Sequence, residues 1–136
     1  MRRFSRKRAR HNAAAKPIRE ALIAEVGKCE LCGTSPFRPK HRPSDMNLLA
    51  CHEILNGPLR VKVLGEPCCL IVACWHCNSG PLNEKGEWPL ARQLALIKVK
   101  APDRYDRERV LRLRDERALQ FVTEEEVDEC ITKGFV

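Results

Sequence analysis

The stretch Cys29-Glu30-Leu31-Cys32, followed by Cys51-His52-Glu53-Ile54 and closed by Cys74-Trp75-His76-Cys77-Asn78, decides how this chain is read. Two Cys-x-x-Cys hooks each bend the backbone so that both sulfurs face one point. Together Cys29, Cys32, Cys74 and Cys77 supply the four thiolates of a tetrahedral zinc site. A closed shell of four sulfurs leaves the metal no open position, so zinc there holds structure. Chemistry then falls to what the hooks hold in place, and His52, Glu53 and Asn78 are the candidates.

Outward from the hooks, the local signals alternate cleanly. Residues 17–26 are good helix formers with Pro17 at the start, and Gly27 stops them just before the first hook. Gly33 follows Cys32, where a tight knuckle needs a residue without a Cβ. Residues 34–45 carry Pro36, Pro39 and Pro43 among Arg38, Lys40, His41 and Arg42, which makes a basic loop able to touch phosphate or simply to face solvent. Residues 48–54 and 69–73 are short apolar runs that predict two strands, paired as an antiparallel hairpin with a long connection broken at Asn56-Gly57-Pro58. Helices are expected over 88–99 and from 103 to about 119. A last one, to about 133, opens on the capping box Thr123-Glu124-Glu125-Glu126.

A length of 136 residues suits one domain with tails, whose small core a metal staple would reinforce. The expected division is a disordered basic arm over 1–16, a zinc-stapled unit over 17–100 and a helical extension over 101–136. The fold class is α+β. No apolar run approaches membrane-spanning length, and the N-terminal residues lack the apolar stretch of a secretory signal. Eight cysteines in that setting favour metal and thiolate chemistry in a reducing, cytoplasmic compartment over disulfides. Cys51, Cys68, Cys69 and Cys130 read as small core residues, and His76 as an exposed knuckle position.

The net charge of +7 is unevenly placed. Arg2, Arg3, Arg6, Lys7, Arg8, Arg10, Lys16 and Arg19 stand against Glu20 alone, while the remaining 17 basic and 17 acidic residues cancel. A basic arm ahead of a neutral body points to nucleic acid, expected here to be duplex DNA, held through its phosphates, with a solvated terminus as the other reading.

The ordered combination of Cys29, Cys32, His52-Glu53-Ile54, Cys74, Cys77 and Asn78 resembles the HNH nuclease family. It covers residues 27–100, and the chain is similar to small HNH-type proteins of phage and bacterial genomes. The resemblance implies a ββα-metal (His-Me finger-like) domain with flanking helices, a structural Zn²⁺ and a catalytic divalent metal, which could be Mg²⁺, Mn²⁺, Zn²⁺ or Ni²⁺. The implied activity is metal-dependent hydrolysis of DNA phosphodiester bonds in a bacterial or phage-infected cell. Carried over by position, His52 and Asn78 bind the catalytic metal and Glu53 takes the place of the base. Arg60 and Lys62 would meet the phosphates beside the scissile one.

Two positions depart from the family pattern. Glu53 stands where the base is normally histidine, and Cys68 and Cys69 fall where an orienting Asn is usual, leaving Asn56 as a substitute from the loop. A second register makes His52 the base, with Cys51 at the preceding metal position. Each residue also has a structural reading: His52 as a satisfied strand histidine, Glu53 as partner of an arginine such as Arg60, Asn78 as a helix cap. The alternative function is a catalytically inactive zinc-binding module that binds nucleic acid and retains the fold. A third is a protein-binding adaptor using the acidic last helix around Glu124.

Overall fold

The computed structural model describes residues 6–55, 63–83, 88–115 and 121–136, without the side chains of Lys7 and Arg8. Arg2, Arg3, Asn56, Arg60 and Lys62 therefore lie outside the described residues. Two strands, β1 (Leu49–Glu53) and β2 (Leu70–Cys74), pair antiparallel with His52 opposite Ile71 and Leu49 opposite Cys74. The short helix α2 (Trp75–Ser79) follows β2 directly, so β1, β2 and α2 form a ββα succession. The whole is a small mixed fold around a two-stranded sheet and a four-cysteine cluster.

Every residue of β2 is buried, because the sheet is covered on both faces. Alternation along a strand sends successive side chains to opposite sides. Cys51, Leu70 and Val72 pack with Leu22 of α1 (Arg6–Val26). Ile71 and Ala73 belong to the larger core, which takes in Leu94, Ala95 and Ile97 of α3 (Leu90–Lys100) and Val110 and Leu111 of α4 (Arg107–Arg114). Val127 of α5 (Glu124–Thr132) completes that side. Asp106 caps α4 by accepting from Arg109 N–H, and Thr123 caps α5 by accepting from Glu126 N–H.

The helix expected to begin at Pro17 begins at Arg6 instead, so residues 6–16 of the arm expected to be disordered are helical. Ala13, Ala14 and Ala15 and the surrounding Arg and Lys favour helix, and Pro17 forfeits only the bond to Ala13 C=O. Ala15 is buried and packs near Gly65, whose hypothetical Cβ would meet Ile18 Cδ1 at 3.3 Å. The helix expected over 103–119 is shorter at both ends: Pro102 to Tyr105 form a turn with Asp106 as the cap, and the helix closes at Arg114 with extended Asp115 after it. Residues 116–120 are outside the description. No helix of the described residues is long and apolar enough to cross a membrane.

Candidate metal centre and the His52 cluster

Gly27 ends α1 in the left-handed region, φ 67°, and turns the chain into the first hook. Gly33, φ 78°, donates its N–H to Cys29 C=O, while Cys29 N–H donates to Thr34 C=O, closing the knuckle. Glu30, inside that hook, reaches β2: its N–H donates to Val72 C=O and its carboxylate accepts from Val72 N–H at 3.1 Å. Since β2 runs on into Cys74, this pairing brings the two distant hooks together. Arg104 secures it from behind, with Nη1 and Nη2 2.8 and 3.0 Å from the Glu30 carboxylate and Nη2 also donating to Leu70 C=O.

The ligand atoms of Cys29, Cys32, Cys74 and Cys77 all lie within 4.8 Å of one another, and three of the residues are buried. This cluster can hold a metal ion. Burial pushes the Cys74 thiol up to about 11 and, with the repulsion of a Cys29 thiolate, moves Cys77 higher still. Burial opposes ionisation of Cys29 too, but hydrogen bonds from the backbone of Cys32, Cys74 and Leu31 hold its thiol below the ordinary range. Ionising all four side by side is costly, and a divalent cation at their centre reverses that cost. His41, in the basic loop, places Nε2 3.3 Å from Cys32 Sγ and stacks on His76 with ring centroids 4.1 Å apart. His76 is exposed, as its position between the cysteines suggested. His41 was not among the candidates, because its separation from the hooks carries no spacing signal.

His52 and Asn78 are brought together: Nδ1 of His52 lies 3.0 Å from Oδ1 of Asn78, the residue after the last cysteine. His52 is buried and Asn78 half-buried. On its other side, His52 Nε2 is 3.0 Å from Oε1 of Gln93, a buried residue of α3. Gln93 Nε2 donates in turn to Trp88 C=O at 2.9 Å, which fixes which end of the amide faces the ring.

Glu53 stands apart from this cluster. It projects from the α1 face of β1, where Arg19 Nη1 lies 2.6 Å from its carboxylate and Arg19 Nη2 donates to Cys51 C=O. Cys51 shares that face, its thiol pushed up by burial and its Sγ 3.7 Å from Arg19 C=O. Neither residue is on the His52 side. Cys68 and Cys69 are buried neighbours with sulfurs 3.8 Å apart; hydrogen bonding between them lowers the Cys68 thiol and raises that of Cys69. Cys130 is half-buried at the edge of the core. Arg6 and Arg10 are exposed on the free end of α1.

No protein-family model, curated protein or solved structure matches this chain.

Proposed function

We propose that this protein is a metal-dependent DNA endonuclease of HNH type with a structural zinc. The observation that carries the reading is the pairing of His52 with Asn78 directly beside the four-cysteine cluster. Because Gln93 turns its carbonyl oxygen to His52 Nε2, that nitrogen carries the proton of the neutral ring. Nδ1 then presents a lone pair to Asn78 Oδ1 at 3.0 Å. An imidazole nitrogen and an amide oxygen in that relation are spaced as two neighbouring ligands of one ion. Their separation equals the edge of an octahedron with arms of about 2.1 Å, which suits Mg²⁺, Mn²⁺ or Ni²⁺. A divalent ion there would supply neutralisation of phosphate charge and activation of water.

The cysteine cluster suits zinc in both chemistry and size. A tetrahedron with Zn–S arms of about 2.3 Å has edges of about 3.8 Å. Cys32 Sγ and Cys74 Sγ are 3.7 Å apart. His52 and Asn78 sit on the strand and helix that this zinc would lock together. The basic side chains of α1 supply attraction to phosphate. Glu53 works as the structural partner of Arg19 in this reading, and Gln93 takes the orienting task first sought at Asn56.

The module without catalysis is the second reading. It draws support from Glu53 facing away from His52, and from the four cysteines forming the one group of three or more His, Cys, Asp or Glu ligands among the described residues. Plasmid cleavage in Mg²⁺, Mn²⁺ or Ni²⁺ decides between them. The nuclease reading expects cutting that disappears in His52→Ala and Asn78→Ala protein that keeps its zinc. Wild-type protein that shifts DNA, holds one zinc per chain and never cuts overturns it.

A further inference from the structure

The loop between the first hook and β1 is more highly organised than a basic, proline-rich segment requires. Asn47, 3% exposed, sits at its centre. Its Oδ1 accepts from Thr34 Oγ1, His41 N–H and Lys40 N–H, and its Nδ2 donates to His41 C=O and Pro43 C=O. Thr34 is fully buried and its hydroxyl accepts from Lys40 N–H as well. The stacked His41 and His76 rings join this loop to α2.

What this scaffold displays is unusual. Phe37 is 94% exposed, and Arg38, Lys40 and Arg42 are exposed around it. On the α2 side, Trp75 is 58% exposed, and its N–H donates to the carbonyl of Leu48, itself 62% exposed. The contrast with the other tryptophan is informative. Trp88 is half-buried and has the Arg92 guanidinium 3.8 Å from its ring centroid, whereas among the described residues no cation lies over Trp75. Trp75 also precedes Asn78 by three residues on one helix, a spacing that puts them on neighbouring positions of the same side. Exposed aromatic rings beside exposed cations suit a strand whose bases are free to stack and whose phosphates are charged. A duplex keeps its bases in its own stack and offers none to these rings.

We infer that the Asn47-organised loop and Trp75 form a binding platform for single-stranded DNA, with Trp75 stacking on an unpaired base next to the His52–Asn78 cluster. Arg38 and Arg42 meet the flanking phosphates. This deepens the nuclease reading, on which it rests for its setting, by naming the form of nucleic acid at the site.

The test is intrinsic fluorescence during titration with an oligothymidylate single strand and with a duplex of equal length, without added divalent metal. Zinc content and circular dichroism verify the fold of each variant. The single strand should quench wild-type emission far more than the duplex does, and Trp75→Phe should abolish that quenching while still binding. Trp75→Ala should weaken single-strand binding by about 5- to 150-fold. Arg38→Ala with Arg42→Ala should flatten the dependence of log affinity on log salt by about 1.4. Unchanged affinity in folded Trp75→Ala, or equal quenching by duplex, overturns the platform. If that protein still cuts plasmid, the nuclease reading survives alone; quenching without cutting in any metal leaves the platform standing and removes the nuclease.

Discussion

Gln93 Oε1 lies 3.0 Å from His52 Nε2, a contact made across 41 residues of sequence. With its own Nε2 anchored on Trp88 C=O, Gln93 turns an acceptor to the ring and favours the Nε2-protonated tautomer of a buried imidazole. Gln93→Leu should therefore leave a buried ring N–H without its acceptor and cost about 1–3 kcal/mol of stability. Ring ¹⁵N shifts should move from a single Nε2-protonated form to a mixture, while Gln93→Glu, which sets a carboxylate beside the ring, should favour the doubly protonated form. Unfolding midpoints and a ring-nitrogen correlation spectrum test both statements.

Glu53 and His52, though adjacent, should respond differently to substitution. Glu53 is 7% exposed and paired with Arg19, so Glu53→Gln should destabilise by about 3 kcal/mol, the order expected when a buried pair loses one charge. Cleavage measured below the unfolding transition should stay within a few-fold of wild type. His52→Ala should lose cleavage instead. Glu53→Gln protein with unchanged stability and no cutting would return the base assignment to Glu53.

The Glu30–Arg104 pair makes a prediction about the metal rather than the reaction. Its side chains are 4% and 9% exposed, and the pair ties the first hook to β2 and to the turn after α3. Breaking it with Glu30→Gln should cost about 3–5 kcal/mol, whereas replacing both residues by Leu and Met should recover most of the loss. In protein loaded with Zn²⁺, release of the metal to a chelator should accelerate in the single variant, because the hook loses its brace against β2. Denaturant midpoints and a release time course provide the comparison.

The C-terminal helices should show a defined acid response. Burial opposes the charge on Glu124, but hydrogen bonds from Lys98 and Tyr105 outweigh it and hold the carboxyl below its ordinary range. A depressed folded value means stability that is present above the unfolded pKa, about 4.3. It is lost as pH falls through the lower folded value. Glu124→Gln should flatten the stability profile in that acid window and leave its neutral part parallel to wild type. Thermal unfolding between neutral pH and the acid limit measures this directly.

The hooks, the hairpin, and the caps at Gly27 and Thr123 were legible in sequence because each depends on residues close together in the chain. The alternation of β1 was legible too, and it carries a lesson: neighbours on a regular strand face opposite sides, so His52 and Glu53 could not both turn to one centre. Gln93, His41 and Arg19 were hidden for a common reason. Each is polar and does its work against a residue far along the chain, and apolar periodicity says nothing about which polar side chain a fold turns inward. Arg19 in particular was counted only as charge on the arm.

That arginine has a mechanical consequence. Helix α1 runs without interruption from Arg6, and Arg19 grips both Glu53 and the Cys51 carbonyl of the strand that bears His52. The 13 residues from Arg6 to Arg19 span about 20 Å of helix. The cations at Arg6 and Arg10 are thus carried on a rigid arm, and their distance from the strand that bears His52 is set by helix geometry and not by chain flexibility.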